Sequence, residues 1–156
     1  MNILNPAPSA RQVAVGLFVI RVVVGIVFIA HGAQKMFAFG IGTFGGVLEQ
    51  MGVPAAGPVA LLVVLGELAG GAALVLGLFT RLASAGLGTT MVGAIVLVHL
   101  PEGFFMPEGY AFALTLLAAA MGLAVMGGGA WSVDAILTRG SAGAIISEER
   151  RVRRAA

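Results

Sequence analysis

The chain of 156 residues is 59% hydrophobic and only 10% charged, with a mean hydropathy of +1.04. A soluble domain carries about 25% charged residues, so this composition excludes a water-soluble globular protein and favours one that faces lipid. The sequence has no cysteine, which excludes disulfides, thiolate nucleophiles and iron–sulfur clusters. The net charge of +2 is not accompanied by a basic face with interleaved aromatic residues, so we expect no nucleic-acid partner.

Four apolar stretches, each close to the roughly 20 residues that cross a bilayer, predict four membrane helices. We place these helices at residues 13–35, 58–79, 82–100 and 110–127. The predicted fold class is therefore all-α, an integral membrane four-helix bundle whose immediate partner is the lipid bilayer. One transmembrane domain, 13–137, lies between a short N-terminus, 1–12, and a basic tail, 138–156.

Two shorter helices are predicted outside these four. The glycine-rich segment after the first membrane helix contains an apolar stretch around 44–51 that favours a short helix at the membrane interface. After the fourth membrane helix, Ser132 can cap a short helix that runs to about Thr138, since serine is a preferred N-cap residue.

Basic residues in the short connections predict the orientation of the bundle. Arg11 precedes the first helix, Arg81 lies between the second and third, and Arg139 with the arginine-rich tail follows the fourth. We therefore expect both termini to lie in the cytoplasm, and the protein to reside in a bacterial inner membrane.

Two charged side chains fall well away from the ends of the predicted membrane helices and need partners there, because each costs at least about 2.5–3.5 kcal/mol to insert. Arg21 lies in the first helix and Glu67 in the second. Their estimated depths differ by only about 4–5 Å, counted at 1.5 Å per residue. The sequence predicts that they pair, either to fix the helix register or to serve a binding site as well.

The outward end of the first helix carries His31, Gln34 and Lys35. His99 and Glu102, at the end of the third helix, can reach the same level. Together these residues predict a polar funnel that opens outward, with Arg21–Glu67 as its floor. No three ligands stand at short spacing, so a metal site is not expected. The funnel is suited to a quinone or another oxygen-rich molecule, while the alternative is that its basic side chains only extend to the lipid headgroups.

The sequence resembles the DoxX family of small bacterial membrane proteins. The resemblance is carried by Arg21-x₃-Gly25, HGAQK (31–35), Gly52-Val53-Pro54, GELAGGAALVLGLFTR (66–81), His99, GFF (103–105) and GGGAWSVD (127–134). It implies a four-helix inner-membrane protein. Some relatives are subunits of a thiosulfate:quinone oxidoreductase, and others accompany a superoxide dismutase and a sulfurtransferase in stress-related membrane complexes.

The family pattern points to five of the residues already selected by topology: Arg21, His31, Lys35, Glu67 and His99. Our leading hypothesis is a redox-associated, quinone-reactive subunit, which would make the chain part of a quinone-linked oxidoreductase. The absence of cysteine argues against a thiol relay. One alternative is a non-catalytic scaffold that recruits soluble redox or stress enzymes. Another is a carrier for protons or small solutes, for which four short helices would need to form a homo-oligomer.

Overall fold

The computed structural model describes residues 7–105 and 107–139, in which helices are joined by turns and no strand occurs. Its elements are α1 (Ala10–Ala33), a first π-helical segment (Gln34–Phe39), α2 (Ile41–Gln50), α3 (Ala56–Leu76), α4 (Thr80–Ala94), a second π-helical segment (Ile95–His99) and α5 (Ala111–Met126). Residues 133–139 are also helical. The predicted all-α fold is confirmed, while the basic tail beyond Arg139 lies outside the described residues.

Three helical spans are long and apolar enough to cross a membrane. They are Ala10–Phe39, Ala56–Leu76 and Thr80–His99. The predicted fourth membrane helix corresponds to α5, an apolar helix of 16 residues. At 1.5 Å per residue α5 measures about 24 Å, somewhat less than the roughly 30 Å hydrocarbon core. The molecule is an integral membrane helical protein, and its orientation in the bilayer stays a prediction.

The helix boundaries differ from the predicted ones for local reasons. The helix α1 begins at Ala10, three residues early, because Ser9 and Gln12 form a reciprocal capping box. The helix α3 ends at Leu76 rather than at 79. Gly77 follows it with a φ of 71°, a left-handed conformation that terminates the helix at little steric cost.

A close contact joins α1 to α3 through two glycines. A Cβ atom added at Gly25 would lie 2.6 Å from the Gly71 carbonyl oxygen, and one added at Gly71 would lie 2.7 Å from the Gly25 oxygen. Only glycine permits this approach of two backbones. Farther along, a Cβ at Gly32 would lie 3.1 Å from the Glu67 Cβ, so Gly32 and Glu67 stand at the same level.

Both predicted short helices are present. The helix α2 spans Ile41–Gln50 and buries Gly45 and Leu48, with Leu48 packed in a small apolar cluster against α3. The Ser132 hydroxyl accepts a hydrogen bond from the Ala135 amide at 3.1 Å, which caps the helical residues 133–139.

Candidate functional site

A cavity of about 800 Å³ lies at the end of the bundle where the two π-helical segments stand. We call this the cavity end, and the opposite end, which contains Gly77, Thr80 and Trp131, the Trp131 end. The wall of the cavity is mostly apolar and includes Phe28, Phe44 and Phe112. Single π-helical turns within α-helices often occur at functional sites. Here both continue membrane helices and carry polar residues of the cavity.

Lys35 and Glu67 provide the charged part of the cavity wall. The Lys35 Nζ lies 2.7 Å from Oε1 and 2.6 Å from Oε2 of Glu67. The Glu67 side chain is 2% exposed and that of Lys35 is 21% exposed. A buried carboxylate needs such a partner, and the pair presents a neutral but strongly dipolar surface to the cavity.

The predicted pairing of Arg21 with Glu67 is therefore wrong. The proximity of Gly32 to Glu67 shows the register of α1 on α3. Eleven residues separate 21 from 32 on α1, which amounts to about 16 Å along the helix axis. The estimate from helix ends failed because it does not include the axial shift of one helix against the other. Lys35, three residues beyond Gly32, reaches Glu67 instead of Arg21.

Arg21 belongs to the Trp131 end and does not line the cavity. Its Nη2 donates a hydrogen bond to the Trp131 carbonyl oxygen at 2.7 Å, and its guanidinium lies 5.6 Å from the centre of the Phe18 ring. A Cβ at Gly77 would overlap Nη1 of this side chain, so the glycine makes room for it. Phe28, which is 1% exposed, lies between Arg21 and the cavity along α1, so the cavity has an apolar floor.

Asp134 completes the Trp131 end, and sequence reasoning gave it no role. Its two carboxylate oxygens accept hydrogen bonds from the Phe79 amide at 2.7 Å and the Thr80 amide at 2.9 Å, which caps the start of α4. Burial alone would raise the pKa of Asp134, but hydrogen bonds from Thr80 and Phe79 and the nearby Arg21 charge outweigh it and lower the pKa below its ordinary value. Asp134, the last residue of the GGGAWSVD motif, therefore holds the helical residues 133–139 against the start of α4. We call this contact the clamp.

The remaining candidate residues divide between the cavity and the surface. His31, Gln34 and His99 line the cavity, whereas Glu102 lies in the exposed turn after the second π-helical segment and does not line it. The His31 ring lies 5.7 Å from the ring of Phe112. His99 Nδ1 lies 2.7 Å from the Glu108 carbonyl oxygen.

Sequence reasoning also missed the apolar part of the site. The aromatic residues of the wall carry no motif of their own, since large apolar side chains are common throughout this sequence. Thr89 and Thr90, which also line the cavity, belong to no motif either. The amphipathic character of α2 was the one available signal, because that helix contributes Phe44 and Leu48 to the cavity. Within the described ranges, no three His, Asp or Glu side chains gather as a metal-binding group.

Comparison with known proteins agrees with this architecture. The DoxX family profile matches residues 16–100, more than half of the chain. The chain belongs to the DoxX family. This DoxX protein is also 39% identical, over 132 residues, to an uncharacterized membrane protein of Mycobacterium tuberculosis, in an alignment that covers 77% of the chain and 80% of that relative. No solved structure matches the chain significantly.

Proposed function

We propose that this DoxX protein is a quinone-binding membrane subunit of a redox system in the bacterial inner membrane, with the cavity as the quinone site. The observation that carries the proposal is the Lys35–Glu67 ion pair in the wall of an otherwise mostly apolar cavity. A quinone combines a hydrophobic body with carbonyl groups, so it needs an apolar space with a few polar groups placed in it.

The size of the cavity and its mostly apolar wall support a lipid-soluble ligand. Its volume of about 800 Å³ lies within the roughly 300–1,000 Å³ that small-molecule sites occupy. Lys35 can donate a hydrogen bond to a ligand carbonyl, because an ammonium has three N–H groups and Glu67 occupies only part of them. The chain has no cysteine that could pass electrons to the quinone. Its role is therefore to bind the quinone, while a partner donates the electrons.

Binding of decylubiquinone to the purified chain in a mild detergent tests this proposal. Equilibrium gel filtration followed by extraction and mass spectrometry gives the amount of quinone bound per chain above that in empty micelles. We expect saturable binding that approaches one quinone per chain.

Two glycines of α4 offer matched variants for this experiment. Gly93 lines the cavity and Gly86 does not, and a Cβ at either position would meet nothing within 4 Å. Gly93→Leu should therefore occupy cavity space without a backbone clash and weaken quinone binding at least about tenfold, while Gly86→Leu should bind as the wild type does. Absence of saturable binding, or equal loss in both variants, would overturn the proposal.

A further inference from the structure

The hydrogen bond of His99 determines which of its ring nitrogens carries a proton. The Nδ1 atom lies 2.7 Å from the carbonyl oxygen of Glu108. A carbonyl oxygen only accepts hydrogen bonds, so Nδ1 must be the donor. In the neutral imidazole the other nitrogen, Nε2, is then unprotonated and presents a lone pair.

His99 lines the cavity, and in the part of the chain that the structure describes no protein group is bonded to Nε2. The Thr90 hydroxyl, on the same side of the cavity, donates to the Leu87 carbonyl of its own helix and is therefore not directed to the histidine. The α4 side of the cavity thus offers a hydrogen-bond acceptor.

Lys35 gives the same cavity a group of the other kind, a hydrogen-bond donor held against Glu67 on α3. The cavity wall thus contains both a donor, Lys35, and an acceptor, His99. A quinone has only carbonyl acceptors and leaves the His99 side unsatisfied, whereas a hydroquinone or phenol has a hydroxyl to donate.

We infer that His99 accepts a hydrogen bond from a ligand hydroxyl through Nε2, so that the cavity selects phenolic ligands, including the reduced form of a quinone, over ligands that lack the hydroxyl. The inference rests on the proposed function, because it concerns the same cavity. It adds a substrate class to it, the lipid-soluble phenols, and names the residue that distinguishes them.

A pair of probes that differ only in the hydroxyl tests this inference. 4-Decylphenol and 4-decylanisole share the same tail, and the anisole carries a methyl group in place of the hydroxyl proton. With the wild type at about pH 8, we expect the phenol to bind about tenfold more tightly than the anisole. Equal binding of the two probes would overturn the inference without any variant.

His99→Asn is the matched variant, with decylubiquinone as a third probe. The asparagine amide can still donate to the Glu108 carbonyl but offers no acceptor at the position of Nε2. We expect the preference for phenol over anisole to fall to about one. An unchanged preference in the variant would overturn the role of His99. If none of the three probes binds saturably to the wild type, the proposed function itself fails, and this inference with it.

Discussion

Lys35 and Glu67 join the end of the first membrane span to the middle of α3, with Nζ at 2.6 and 2.7 Å from the two carboxylate oxygens. The connection is not a surface ion pair, since the Glu67 side chain is only 2% exposed. Burying the pair has a desolvation cost, and replacing only one of the two residues leaves the other charge buried without a partner. It therefore fixes the first π-helical segment against α3 and holds one wall of the cavity in place.

Replacing one partner of this pair should destabilise the protein more than replacing both. Lys35→Met leaves the Glu67 carboxylate buried without a cation, which should cost about 3–5 kcal/mol. The double variant Lys35→Met/Glu67→Gln removes both charges and should recover much of that loss. Thermal unfolding in detergent of the wild type, the two single variants and the double variant measures the coupling.

The same cycle for Arg21 and Glu67 provides the control. These residues stand about 16 Å apart along the helix axis, so the effects of replacing them should add within about 0.5 kcal/mol. Strong coupling between Arg21 and Glu67, with none between Lys35 and Glu67, would contradict the register of α1 on α3 described above.

The glycine contact between α1 and α3 should tolerate no additional carbon. In Gly25→Ala the new Cβ would lie 2.6 Å from the Gly71 carbonyl oxygen, which forces the helices apart. We expect a loss of about 1–3 kcal/mol, the usual range for overpacking. Gly16→Ala is the matched control on the same helix, because its Cβ would meet nothing within 4 Å. It should be neutral or slightly stabilising, and equal destabilisation by both alanines would show that the glycine contact does not hold the helices together.

The clamp at the Trp131 end should depend on pH through Asp134. Its pKa in the folded protein lies below the ordinary value of 3.8, so its stabilising contribution is present above that pH and is lost as the pH falls through the folded-state pKa. At neutral pH, Asp134→Ala should lower the stability by about 1 kcal/mol, as expected for the loss of a helix cap. The difference from the wild type should shrink below about pH 4.

Thermal unfolding of both proteins from about pH 3 to about pH 7 measures this difference. Glu49→Gln, which removes an exposed carboxylate on α2, is the control and should show no such pattern. A difference between wild type and Asp134→Ala that grows toward acid pH would refute the clamp.

Arg21 should matter for stability and not for the ligand. It is buried at the Trp131 end, it does not line the cavity, and its guanidinium donates to the Trp131 carbonyl. In Arg21→Lys the ammonium cannot reproduce the planar geometry of that contact, so the melting temperature should fall. The folded fraction should still bind decylubiquinone with an affinity within about twofold of the wild type. A selective loss of quinone affinity in a protein of normal stability would return Arg21 to the binding site.

Composition and hydrophobic segments were sufficient to predict an all-α membrane protein, because the length of an apolar run is set by the thickness of the bilayer. They were not sufficient to predict which charges meet. On one regular helix Arg21 and Lys35 would share a face, so helical periodicity alone does not decide which of them meets Glu67. The choice depends on an axial shift of α1 against α3, which the Gly25–Gly71 contact determines. The role of Asp134 could not be predicted from local sequence, because it caps a helix that begins 54 residues earlier in the chain.

Photolabelling in native membranes is the most direct test of the central claim that the cavity binds a quinone. An azidoquinone is irradiated with membranes that contain the protein, and the labelled peptides are identified by mass spectrometry, with and without excess decylubiquinone. We predict labelling that the competitor suppresses, on the lining segments around 28–35, 93–99 and 112–116. Labelling that the competitor does not suppress, or that falls on the lipid-exposed faces or at the Trp131 end, would contradict the claim.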